Sequence, residues 1–302
     1  MIEVALMLEG QDGLTWDTWQ RIARIVEDGG LAGLYRSDHF TNPNPPAKNS
    51  LECWVSLAWL ASHTSRIEFG TLVSPISFRD PRQMARQAAA IDDLSGGRLH
   101  LGLGAGWQEQ EHHSFGYDLL DRKPRFARYR EGVEVVTRLL RSDEPVTFEG
   151  SYYQLRDAIL LPRPQRSGGP RIVIGGNGPQ LTLPLAAQYA DEWNCVYLTP
   201  ENFAPLNARL ATLAAQHGRQ PTAIRRTMMT GVFLIRDQAE SGRRLAGRDP
   251  QSLRQRGALI GSLAEIKDQL KALEASGVQR VMLQWLQMED FDGLEALARG
   301  LV

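Results

Sequence analysis

Cysteine is nearly absent: the 302 residues hold two, Cys53 and Cys195. Their separation fits neither the disulfide framework of a small secreted domain nor a metal or redox pair, so both read as packing residues of a reduced, cytoplasmic protein. Long apolar runs are missing too. None approaches the roughly 20 residues that a membrane-spanning helix needs, which argues against a membrane partner. The opening Met1-Ile2-Glu3-Val4-Ala5-Leu6 lacks the basic region and apolar stretch of a secretory signal. The third absence is an excess of charge. The 34 Lys and Arg nearly cancel the 35 Asp and Glu, which leaves no large positive field for a polyanion and argues against nucleic acid as a partner.

What is present is alternation. Short β-rich apolar runs trade places with amphipathic helical stretches along nearly the whole chain, the pattern of a parallel sheet with helical crossovers. Strands are expected near 3–9, 34–38, 67–73, 98–104, 171–176, 192–197, 227–235 and 280–286. Eight such units in about 300 residues predict an α/β fold, a (β/α)8 TIM barrel in which residues 1–302 form one domain; an open doubly wound sheet is the alternative. Asp80-Pro81 supplies an N-cap and a first-turn proline for a helix that stops at Gly96-Gly97. Ser262 with Glu265 forms a capping box for a helix running towards Gly277. Two stretches break the regular unit, 142–166 and 236–258, and are expected as loop insertions.

In such a barrel the reactive groups follow the strands rather than precede them. After the first strand comes Glu9, after the second Ser37-Asp38-His39, after the third Ser74-Pro75. After the fourth come Gly104-Ala105-Gly106-Trp107, then Glu111, His112 and His113. In Asp38-His39 a carboxylate and an imidazole could orient a ligand and move a proton near neutral pH; they also fit a capping aspartate beside a surface histidine. Arg171-Ile172-Val173-Ile174-Gly175-Gly176-Asn177-Gly178-Pro179 is a buried strand ending in a glycine-rich turn that opens a helix. Such a turn brings backbone N–H groups and a helix dipole close to a phosphate. It is neither the dinucleotide fingerprint nor a P-loop. Gly102 and Gly104 would leave space for a flat ligand, or would serve ordinary barrel packing. Trp107 is a candidate stacking wall or a core aromatic, and His100, mid-strand, reads as structural. Adjacent His112 and His113 diverge by about 100° on a helix and make poor metal ligands, so no metal is expected.

Taken in order, several segments resemble one family, the luciferase-like oxidoreductases, and within it the branch that uses the deazaflavin coenzyme F420. They are Gly33-Leu34-Tyr35-Arg36-Ser37-Asp38-His39-Phe40, Ile67-Glu68-Phe69-Gly70-Thr71-Leu72-Val73, Ser95 through Trp107 with Glu111-His112, and Ile174 through Pro179 followed by Ala190-Asp191-Glu192-Trp193-Asn194. The resemblance implies a barrel with insertions, usually a homodimer, holding a tricyclic ring in its mouth. It implies that His39 handles a proton beside the reactive carbon and that Asp38 helps to place the cofactor. It implies a bulge or non-proline cis bond near Thr71-Leu72-Val73 that backs the ring, and a phosphate held by Gly175, Gly176, Asn177 and Gly178. Gly104, Trp107, Glu111 and His112 fall in the matching segments, Ser74 directly follows one, and all five are expected to line the cofactor. The implied activity is hydride transfer between F420 and an organic small-molecule substrate. Two alternatives stand beside it: an FMN-dependent monooxygenase using oxygen and reduced flavin from a partner reductase (an F420 reductase being the counterpart for the deazaflavin), and a flavin-binding protein without turnover.

Overall fold

Residues 2–302 are described by a computed structural model. Eight parallel strands close on themselves: β1 (Glu3–Leu8), β2 (Gly33–Arg36), β3 (Glu68–Thr71), β4 (Leu99–Gly104), β5 (Arg171–Gly175), β6 (Glu192–Val196), β7 (Arg225–Leu234) and β8 (Arg280–Gln284). Each pairs with the next, and β8 pairs with β1, from Glu3 opposite Arg280 to Met7 opposite Gln284. The expected (β/α)8 barrel is therefore the observed one, and the open sheet is excluded by that last pairing. The expected strand at 34–38 stops at Arg36, so Ser37, Asp38 and His39 lie in the loop that leaves it.

Helices cover the outside because each carries one apolar stripe. In α1 (Trp16–Asp28) that stripe is Trp19, Ile22, Ala23 and Val26. Asp80 caps α3 (Pro81–Leu94) through the N–H of Arg82, and Gly96 and Gly97 end it at φ 70° and 87°, a region closed to most side chains. The capping box of Ser262 and Glu265 opens α10 (Leu263–Ala275). Both cysteines are buried and unpaired. The insertion at 142–166 contains an antiparallel hairpin, Val146–Glu149 with Gln154–Ala158. The one at 236–258 contains α8 (Gln238–Leu245) and α9 (Pro250–Gln255), after which Leu259–Gly261 adds to the end of β7. Among the described residues no helix is long and apolar enough to cross a membrane.

The barrel interior divides into layers. An apolar middle layer joins Ala5, Met7, Tyr35, Leu72, Val173 and Met282. Below it, towards the strand starts, lies an ionic floor. Arg280 donates to Glu3 at 2.6 and 3.0 Å, to the Tyr35 hydroxyl at 2.5 Å, and to Glu68. His100 stands between Glu68 and Glu192, 3.3 Å from each, and is buried. Burial opposes a charge on this ring, but contact with the two carboxylates and their field hold its pKa above the ordinary value. His100 is thus a structural residue whose charged form the two carboxylates favour, in keeping with the sequence reading. Stability supplied by a histidine with a raised pKa is full below its unfolded pKa and disappears as pH rises through the folded one. The thermal midpoint should therefore fall as pH climbs above the ordinary histidine range. His100→Gln should start lower and lose much of that slope; an unchanged slope would show that another group titrates.

Candidate active site

The loop after β2 turns His39 towards the barrel mouth. Nδ1 of His39 lies 2.8 Å from Oε1 of Glu111, on α4 (Glu109–Phe115), and the backbone N–H of Phe40 donates to Oε2 of the same carboxylate at 2.9 Å. Glu111 is fully buried, so its carboxylate is fixed in place and orients the ring. Among the described residues Nε2 of His39 has no protein partner, which leaves it free for a ligand. Burial would depress the His39 pKa. The hydrogen bond to Glu111, then the charges of Glu111, Glu9 and Asp38, outweigh it and raise the pKa above its usual value. An imidazolium held in this way is a proton donor near neutral pH.

Glu9 is fixed by two amides: Gln284 donates to Oε1 at 2.5 Å and Gln11 to Oε2 at 2.9 Å. Tyr197, at the end of β6 with φ 51°, donates in turn to Gln284. Gln11, Gln284 and Tyr197 were not singled out in the sequence; alternation along a strand cannot say which polar residue meets which across the mouth.

Several expected cofactor ligands sit one layer back. Asp38 is 2% exposed. Its carboxylate accepts from Arg79 at 2.6 and 3.0 Å, from the Ser74 hydroxyl at 2.6 Å and from the Trp54 indole at 3.3 Å. Asp38 and Ser74 are therefore committed to the loop framework that carries His39. The Thr71 hydroxyl donates to the carbonyl of Gly102 at 2.9 Å and accepts its N–H at 3.0 Å, tying β3 to β4. His112 lies 2.7 Å from both the Ser77 hydroxyl and the Gln108 carbonyl, and is buried. Glu111 holds His39, as described. Those residues shape the site without lining it.

The bond between Leu72 and Val73 is cis, at the position the resemblance indicated. There the chain enters the barrel, and the Val73 side chain fills the space left by the glycines of the neighbouring strands. A Cβ on Gly104 would lie 2.4 Å from Val73 Cγ2, and one on Gly102 would lie 2.1 Å from the Thr71 carbonyl oxygen. The room at Gly102 and Gly104 is taken by protein; the expectation that it receives a flat ligand directly is corrected. Leu72, buried, and Val73 pack instead with the apolar middle layer of the barrel.

Across the barrel, the turn after β5 has the expected form. Gly176 has φ 119°, and a Cβ on Gly178 would crowd the Thr182 hydroxyl at 2.9 Å. The helix that follows, α6 (Thr182–Tyr189), has no side-chain cap. Among the described residues no protein acceptor meets the backbone N–H groups of Gly178, Gln180 and Leu181. The Asn177 side chain is not free: it donates to the Val196 carbonyl and accepts its N–H, at 2.7 and 2.9 Å. Asn177 thus pins the turn to β6 and leaves the backbone as the donor set. Among the described residues no group of three His, Cys, Asp or Glu could hold a metal ion.

Residues 3–248 match the family described as luciferase-like monooxygenase. An F420-dependent glucose-6-phosphate dehydrogenase of Kineococcus radiotolerans is 36% identical over 154 residues, 51% of this chain and 45% of that protein. A 4-hydroxyprotoasukamycin monooxygenase of Streptomyces nodosus subsp. asukaensis is 37% identical over 133 residues, 44% of this chain and 35% of that protein. The chain thus aligns with less than half of the length of either relative. An F420-dependent secondary alcohol dehydrogenase, solved with an F420–acetone adduct, superposes with a TM-score of 0.85 at 19% identity, covering 100% of this chain and 99% of that one. At that identity the likeness is one of fold.

Proposed function

Since the chain belongs to the luciferase-like monooxygenase family, we propose that it is an oxidoreductase that binds coenzyme F420 in the barrel mouth and exchanges a hydride with an organic substrate, His39 handling the accompanying proton. The observation that carries this reading is the pairing of a free His39 Nε2 on one side of the mouth with an uncapped helix N-terminus and a glycine turn on the other. The residues fit a ring, ribityl chain and phosphate. Leu72 and Val73 would back the ring, and the N–H groups of Gly178, Gln180 and Leu181 would meet the phosphate. Gly175 and Gly176 let that turn pass close, and Asn177 keeps it in place. When bound, the cofactor supplies the two-electron chemistry; the protein supplies position and the proton.

Titrating the purified protein with F420 and with FMN, each by fluorescence, tests the reading: saturable F420 binding supports it, and none sinks it. FMN with a partner reductase is the second reading, favoured by the monooxygenase relative; oxygen consumption with reduced FMN, absent with F420, would select it. We also propose a homodimer. The outer side of α2 (Cys53–His63) carries exposed Val55 and half-buried Trp59, which meets Trp16 edge-on at 6.4 Å. Sedimentation of Val55→Asp as a monomer, against a dimeric parent, checks this.

The raised His39 pKa has a kinetic signature. In the reducing direction the active form is the imidazolium, so kcat/KM should fall as pH rises through that pKa. Glu111→Gln removes the main groups raising it, and should move the falling limb to lower pH. An unmoved limb would mean that the titrating group lies elsewhere.

A further inference from the structure

Trp107 is 61% exposed, yet it is not a loose surface residue. On its amino side Gly106 has φ 83° and packs so closely that a Cβ would lie 2.2 Å from the Ser77 hydroxyl. On its carboxyl side Gln108 is buried and donates to the Thr41 carbonyl and hydroxyl at 2.9 and 3.2 Å. His112 ties these supports together by touching both Ser77 and the Gln108 carbonyl. A buried polar framework thus holds a large apolar ring in the open. That ring stands 5.5 Å from His39, edge to face at 82°. Exposing an indole costs free energy that a soluble fold ordinarily avoids by burying it. Here the exposure is built in, beside the only ring nitrogen of His39 left without a protein partner.

The charges nearby narrow what could lie against it. Glu9, Glu111 and Asp38 all act on His39. Lys48 lies 4.0 Å from Asp12, and Arg79 is paired with Asp38 and Glu52. Arg248 covers the Phe233 ring and donates to the carbonyls of Leu245 and Arg244. An anionic substrate would approach the Glu9 carboxylate, which amides hold, while Arg79 and His39 are already paired with Asp38 and Glu111, at a Coulombic cost. A flat, uncharged one would cover the indole and gain from burial.

Building on the oxidoreductase reading, we propose that Trp107 is the substrate-side wall of the mouth, and that the substrate is an uncharged alcohol or carbonyl compound with a flat apolar substituent beside the reacting carbon. The His39 proton would serve its oxygen, and the indole its substituent. This gives His112, Ser77 and Gln108 a positioning role.

The test uses the protein loaded with whichever of F420 or FMN it binds, and 2-acetonaphthone as probe in equilibrium dialysis, with glucose 6-phosphate as competitor. The parent should bind the ketone and glucose 6-phosphate should not displace it. Trp107→Ala should weaken ketone binding by about tenfold or more, and Trp107→Phe should recover most of it, with cofactor affinity unchanged in both. Equal ketone binding by Trp107→Ala, displacement by glucose 6-phosphate, no ketone binding to the loaded parent, or loss of cofactor affinity in Trp107→Ala would each overturn the assignment. Failure of the parent to bind either cofactor overturns the functional reading instead, and dialysis of the cofactor-free protein then decides whether the indole wall takes the ketone.

Discussion

Replacing His39 by alanine should lower turnover by on the order of 10²-fold or more, while cofactor affinity stays near that of the parent. Among the described residues Nε2 of His39 has no protein partner and no second imidazole stands beside it to take over; His112 is buried against Ser77 and Gln108, and His100 is in the barrel floor. His39→Asn keeps a donor for the buried Glu111 carboxylate but cannot shuttle a proton. It should lose as much rate as the alanine variant with less effect on folding. Added imidazole should restore part of the alanine variant's activity. Rates within about fivefold of the parent would remove His39 from the chemistry, since general acid–base catalysis is ordinarily worth more than that, and would favour a binding protein.

Asp38→Ala should act on stability first. The carboxylate is buried and takes four donors from three residues, two of them from the Arg79 guanidinium. Removing one partner of a buried ion pair leaves the other uncompensated, at a cost of about 3–5 kcal/mol. Glu52, 2.8 Å from Arg79 and more exposed, absorbs part of that charge, so the lower end of the range applies. Activity should drop with it, because the same loop carries His39. Urea unfolding measures the first effect and kcat the second. A change in unfolding free energy below about 1 kcal/mol would contradict the role given to Asp38 as a framework residue.

The barrel was legible because its signals are local. Each strand is a short apolar run, each helix a stripe with a cap, and the alternation leaves few topologies. The hairpin in the 142–166 insertion was not legible: Val146-Thr147-Phe148-Glu149 and Gln154-Leu155-Arg156-Asp157-Ala158 are half exposed and carry little apolar contrast. In the site, His39 and the phosphate turn could be read from position and glycine content. The Glu111 partner of His39, 72 residues away, could not be read as an ion pair. Asp38 looked like a ligand because it follows a strand, but the loop it sits in carries it into a ready set of donors, Arg79, Ser74 and Trp54. Gly102 and Gly104 looked like room for a ring because the inward path of Val73 is a tertiary event, invisible to strand patterning.

The pairing of β1 with β8 has a consequence for how the molecule is made. Glu3 is made before Arg280, which it binds across 277 residues and which is added roughly tens of seconds later at ordinary rates of translation. Through that interval the nascent chain has an open edge at β1, and Glu3 has met Arg225 but lacks Arg280. A product that stops before residue 280 leaves one edge of β1 and one edge of β7 unpaired, a template for strand addition by another chain. Truncated copies should therefore accumulate on chaperones or in aggregates rather than as partly active enzyme, because only the last strand closes the sheet.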